Sequence, residues 1–132
     1  MVTQAQIDSF IAAKAAIATE QAAVVAGWPS DEEPAISDLA RSLLVKGGID
    51  AVIDSGECPD CAAALIARRL SIAAHNRRVA ALAAAKAAAG YDAAFEPLGR
   101  RLEQLAPRKI VREDLSSDEA TELATIREAL GA

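Results

Sequence analysis

Apolar side chains recur at helical spacing along almost the whole chain, and no stretch alternates long enough to suggest a sheet. Ile7, Phe10, Ile11, Ile17, Val24 and Val25 share one stripe, which predicts a helix over 4–26. Thr3 is its N-cap, with Gln6 three residues on, and Val2 before the cap is placed to pack on Ile7. Lys14 interrupts the stripe, and Gly27, Trp28 and Pro29 end it. Residues 30–33 read as a polar turn. A second helix is expected over 34–46, with Pro34 in its first turn and Ile36, Leu39, Ala40, Leu43 and Leu44 on its buried face. Gly47 and Gly48 read as a stop, and residues 49–53 as a short helix.

The third element begins at Cys58-Pro59-Asp60-Cys61 and stays helical to about residue 89. Pro59 suits the first helical position, and Asp60 suits the positive end of a helix. A continuous helix of that length spans about 45 Å, long for so small a chain. It therefore protrudes, pairs with another copy, or is kinked near residues 71–76. Leu65, Ile72, Val79 and Leu82 form one apolar seam, and Ile66, Leu70, Ala73 and Ala74 widen it. Arg68 and His75 stand at the alternate positions, where a regular coiled coil would not put them. Residues 83–85 and 87–89 are all alanine, and Gly90 ends the element.

A further helix is expected to start within 92–96, with Pro97 near its first turn, and to end at Pro107. Its face is Phe95, Leu98, Leu102 and Leu105. Residues 107–114 read as a charged turn anchored by Ile110 and Val111. The last helix opens with a capping box of Ser116 and Glu119 and carries Leu123, Ile126 and Leu130 before a frayed end at Gly131 and Ala132. These signals define an all-α fold: one single-domain irregular helical bundle over 1–132, with five or six helices and one long helix.

Composition supports this. Alanine supplies 33 of the 132 residues and aromatic residues only 3%, a balance that favours helix over sheet. The net charge of −5 conceals a block pattern. Residues 1–57 carry 3 basic and 9 acidic side chains, 58–112 carry 10 and 4, and 113–132 carry 1 and 6. The basic middle can face its own acidic ends, in the same chain or in a second copy. A nucleic-acid role is disfavoured by the overall sign and by the lack of aromatic residues among the arginines. No basic, apolar leader and no uncharged run long enough to span a bilayer is present. The expectation is a cytoplasmic protein without membrane association.

Cys58 and Cys61 are the best candidates for chemistry. At a helix start, free backbone N–H groups stabilise a thiolate, and Cys58 is placed to be the more acidic partner. Two cysteines three positions apart on a first turn reach disulfide distance. Glu57 and Asp60 oppose thiolate formation by like charge. Over these four residues the chain resembles the helical alkylhydroperoxidase-D-type proteins, which also place a C-x-x-C at a helix onset, and the resemblance implies dithiol redox chemistry. That family has a histidine four positions after the second cysteine, where this chain has Leu65. Its acidic relay residue also lacks a counterpart, because Glu57 adjoins the motif. Two cysteines and one histidine fall short of the four ligands of a usual zinc site, so neither metal nor cofactor is expected, unless two copies pool their cysteines. Glu119 and Glu122 resemble paired carboxylates, but the first is explained by its capping role.

The leading expectation is a small non-catalytic helical protein acting through protein–protein contacts, as an adaptor, accessory or assembly/connector component, and self-associating as a homo-oligomer. Its interaction residues would be Trp28, Arg68, Arg69, His75, Arg77 and Arg78. One alternative is a thiol–disulfide oxidoreductase or peroxide reductase using Cys58 and Cys61. The other is an anion or nucleic-acid binder using the arginine-rich middle.

Overall fold

The computed structural model describes residues 1–30 and 32–131. Asp31 of the expected polar turn and Ala132 of the expected frayed end lie outside the described residues. Among the described residues six helices follow in order: α1 (Gln4–Ala16), α2 (Ala18–Ala26), α3 (Asp38–Ser55), α4 (Pro59–Ala89), α5 (Tyr91–Ile110) and α6 (Ser117–Leu130). The all-α reading with one long helix holds, and α4 runs without the break considered at residues 71–76. No single helix among the described residues is long and apolar enough to cross a membrane. The chain forms two compact units, one of residues 1–22 and 81–132 and one of residues 23–80.

In the first unit, α1 packs on α5 and α6, and α5 packs on α6. Ile7, Phe10, Leu98, Ile126 and Ala129 make its core, with Val2, Tyr91, Phe95, Leu102 and Leu130 against it. The Phe10 ring meets Tyr91 at 5.5 Å and Phe95 at 5.9 Å, tilted in both cases, the geometry that aromatic quadrupoles favour. Both expected capping boxes form. Gln6 N–H donates to Thr3 Oγ1 at 3.2 Å and Thr3 N–H to Gln6 Oε1 at 2.9 Å. Glu119 N–H donates to Ser116 Oγ at 3.1 Å and Ser116 N–H to Glu119 Oε1 at 3.0 Å. Ser116→Ala is expected to cost about 1 kcal/mol, read as a lower denaturant midpoint with an unchanged slope; an unmoved midpoint would show the cap to be redundant.

Several boundaries differ from expectation. The helix over 4–26 is two helices, bent by 54° at Ile17. Ile17 itself is buried. The second helix starts at Asp38 and not at Pro34, because Ser37 takes the cap and accepts a hydrogen bond from Ala40 N–H at 3.2 Å. Gly48 has non-helical φ and ψ, so α3 is two helices joined at a kink: the expected stop at Gly47 and Gly48 is seen, and the short helix expected over 49–53 follows it and runs on to Ser55. α5 begins at Tyr91, since Gly90 in the left-handed region turns the chain directly out of α4, and it carries Pro97 and Pro107 inside it. The expected end at Pro107 comes one turn later, at Ile110.

Ion pairs tie the basic middle to the acidic C-terminal block within this unit. Arg101 Nε lies 2.6 Å from Glu122 Oε1, and Arg108 reaches Glu119 at 2.5 Å and Glu113 at 3.5 Å. Glu122 is buried, and Val2 N–H donates to its other oxygen at 2.5 Å. Burial works against its charge, yet the Val2 N–H and the Arg101 guanidinium outweigh it and hold the carboxyl below its usual range. Glu119 is lowered to about 2, first by the Ser116 backbone N–H and then by Arg108.

Both shifts are downward, so the stabilisation is complete above the unfolded carboxyl value of about 4.3. It is lost as pH falls through the folded values. The denaturant midpoint is expected to hold from pH 7 to about 5 and to drop as pH falls toward 2. Glu119→Gln should flatten that drop. An equally steep fall in the variant would assign the acid sensitivity to other groups.

Candidate dithiol site

The second unit is built around a small cluster in which Ala40, Val52, Cys61 and Leu65 are buried. Ile36, Leu43, Leu44, Ile49, Cys58 and Ala62 pack against it. Leu39, expected on the buried face, is half exposed. Most of the apolar seam along α4 is also open: only Leu65 is buried, whereas Ile66, Leu70, Ile72 and Val79 are exposed.

Local sequence places the cysteines. Gly56 closes α3 in the left-handed region with φ 64°. Ser55 Oγ donates to Val52 carbonyl at 2.8 Å and accepts from Glu57 N–H at 3.3 Å. This clips the chain as it leaves α3, so that Cys58 arrives immediately before the first residue of α4. Pro59 costs nothing as the first helical residue, since its missing N–H would have had no helical partner. Ala62 N–H donates to Cys58 carbonyl at 3.1 Å, the first bond of the helix. Cys58 thus holds the N-cap position, and its sulfur does what a capping oxygen does elsewhere: it accepts the Cys61 N–H at 3.2 Å.

The two sulfurs are bridged, with a Cα–Cα distance of 5.2 Å. Cys61 is 5% exposed, and Cys58 is more accessible. Cys58 is thus the more exposed residue of the bridge, although it still packs partly against the cluster. An external thiolate that attacked Cys58 would send the displaced electron pair to Cys61. A thiolate at Cys58 is stabilised by the Cys61 N–H and by the positive end of a 31-residue helix. Glu57 and Asp60, which oppose that charge, are both exposed, and water screens their effect. The Ser37 hydroxyl lies 3.9 Å from Cys61 Sγ. Reading the sequence did not single out Ser37 in this setting. A Ser-Asp pair opening an apolar run was the available signal for its cap, but nothing local shows which sulfur it faces.

This geometry corrects the leading functional expectation. A non-catalytic adaptor gives no role to two cysteines that form a bridge at a helix onset with one of them partly exposed. The bridge favours the dithiol alternative.

The other candidate residues fall into two groups. Arg68, His75 and Arg78 serve the segment that follows α2. Arg68 donates to the carbonyls of Ser30 and Glu32, and Arg78 to that of Gly27. Trp28, 65% exposed, meets the His75 ring edge-on at 4.8 Å, and His75 Nδ1 is buried without a protein hydrogen-bond partner. Arg69 and Arg77 are exposed and lie on other sides of α4 by helical geometry. The arginines therefore do not converge on one anion site. Among the described residues, no group of three or more His, Cys, Asp or Glu is arranged to hold a metal ion. Comparison with protein-family models, curated proteins and solved structures finds no match for this chain.

Proposed function

We propose that the chain is a thiol–disulfide oxidoreductase in which Cys58 exchanges with substrate and Cys61 resolves the mixed disulfide. The observation that carries this reading is the Cys58–Cys61 bridge at the onset of α4, with Cys58 the more exposed residue and its sulfur the acceptor of a backbone N–H. In the reduced form, the Cys58 thiolate attacks one sulfur of a substrate disulfide. The other substrate sulfur leaves with the electron pair and takes a proton from water. Cys61 thiolate then attacks Cys58 Sγ, the second substrate thiol leaves, and the bridge is restored. The substrate gains two electrons and two protons, and the protein dithiol supplies the electrons. A small dithiol returns the bridge to the reduced form by the same steps in reverse.

Disulfide exchange is preferred to peroxide reduction for a chemical reason. Peroxide cleavage benefits from a general acid beside the attacking thiolate, and Leu65 stands one turn beyond Cys61, where the resembling family carries its histidine. A cytoplasmic setting is proposed alongside, because bridges there are mostly transient and catalytic.

The test is exchange between dithiothreitol and bis(2-hydroxyethyl) disulfide, followed by product thiol, together with the mass of the alkylated protein across a series of redox buffers. The expected result is a reversible two-thiol couple and an exchange rate well above that of an equal concentration of free cysteine. A bridge that resists excess dithiol in the folded protein, or exchange no faster than with free cysteine, defeats the proposal.

A further inference from the structure

We infer that Ser37 is the hydrogen-bond donor that receives the charge on Cys61 when the bridge opens; this rests on the oxidoreductase reading. Cys61 is buried among Ala40, Val52 and Leu65. Charge on a sulfur in apolar surroundings is costly unless a donor meets it. Opening creates that charge: an external thiolate bonds to Cys58 Sγ, the Cys58–Cys61 bond breaks, and its electron pair stays on Cys61 Sγ. The Ser37 hydroxyl is 3.9 Å from that atom.

Its hydrogen is free to turn there. Ser37 Oγ already accepts the Ala40 N–H at 3.2 Å, which occupies a lone pair and leaves the O–H as a donor. The residue is fixed by its place at the start of α3, where its carbonyl accepts Arg41 N–H at 2.9 Å. One side chain therefore has two tasks. Its oxygen caps α3, and its hydroxyl lies within reach of the leaving sulfur of α4. Ser37 is also at the surface, so it stands between water and a sulfur that water does not otherwise reach easily. It keeps its own proton throughout. The Cys61 thiolate is neutralised afterwards from solvent, or stays charged to resolve the next mixed disulfide.

The experiment measures the rate of bridge opening by dithiothreitol from pH 7 to 10, in the full chain, by timed alkylation and mass, for three variants. Ser37→Gly removes the donor while costing the cap only a few tenths of a kcal/mol. Ser37→Thr keeps both cap and donor. Ser37→Asp keeps the cap acceptor and offers no hydrogen. Opening is expected to slow about tenfold in Ser37→Gly, the loss of one charge-assisted hydrogen bond. It should slow further in Ser37→Asp and stay within about twofold of the parent in Ser37→Thr. Reaction of the freed Cys61 thiol with iodoacetamide should need a higher pH in Ser37→Gly. Wild-type opening in Ser37→Gly, or equal slowing in Ser37→Gly and Ser37→Thr, overturns the inference. Opening needs no second substrate. A parent protein that opens but does not accelerate exchange therefore defeats the oxidoreductase reading and leaves the Ser37 comparison readable.

Discussion

Cys58→Ala is expected to reduce dithiothreitol-driven exchange to the uncatalysed background, whereas Cys61→Ala should stop turnover at a different point. The asymmetry follows from burial. Cys58 is the more exposed residue of the pair, and Cys61 is 5% exposed within the α3–α4 cluster. Without Cys58 no mixed disulfide forms. Without Cys61 the mixed disulfide forms and persists, because the intramolecular nucleophile that would resolve it is missing. Mass spectrometry after brief exposure to bis(2-hydroxyethyl) disulfide reads the difference directly: an adduct on Cys61→Ala and none on Cys58→Ala. The order of labelling adds a second check. The Cys61 N–H and the helix start favour the thiolate at Cys58, so iodoacetamide should label Cys58 before Cys61 in the reduced protein. Adducts of equal yield on the two variants would mean that the sulfurs are interchangeable, and the assignment of roles would fall.

The second large effect is structural. Phe10→Ala should lower stability by about 3–5 kcal/mol, a large share of the roughly 5–15 kcal/mol that holds a typical domain. Phe10 is 1% exposed at the centre of the α1–α5–α6 core. It touches two of the few aromatic rings in the chain, Tyr91 and Phe95, so truncation opens a cavity and removes two ring contacts together. Phe10→Leu keeps most of the volume and should cost less than about half as much. Urea unfolding followed by circular dichroism measures both. Equal losses would show that the ring contacts and not the filled volume carry the effect, and a loss under about 1 kcal/mol for alanine would mean that the core closes over the gap.

Features written in adjacent residues were legible in the sequence, and features made by distant ones were not. Thr3 with Gln6 and Ser116 with Glu119 announce their helix starts because both members of each box lie within one turn. The dithiol motif is legible for the same reason. The break at Ile17 is different: Ala15, Ala16 and Ala18 surround it, and nothing in that run marks a cap. Pro34 misled because a proline in a first turn is a common helix start, yet Ser37 and Asp38 three residues on provide a better one. Glu122 looked like half of a carboxylate pair on α6. Its real partners are Arg101 and the backbone of Val2, 120 residues away. The exposure of Ile66, Leu70 and Ile72 also defied expectation, since periodicity reports which residues share a face and not whether anything covers it. The adaptor reading failed similarly: it weighed charge blocks and helix length over a pair of sulfurs whose accessibility only three-dimensional packing determines.

The bend in α3 has a consequence for the chemistry. Gly48 sits at φ 74° and ψ −167°, a region open essentially to glycine alone. A Cβ there would meet no neighbouring atom within 4 Å, so the backbone torsion and not crowding demands the glycine. Ala40 precedes the bend and Val52 follows it, and both help to enclose Cys61. Straightening the helix would withdraw one of them and hydrate the sulfur. The electrical insulation of the resolving thiol is thus delegated to a single rotation in the main chain, at a residue with open space around it and no reactive group of its own.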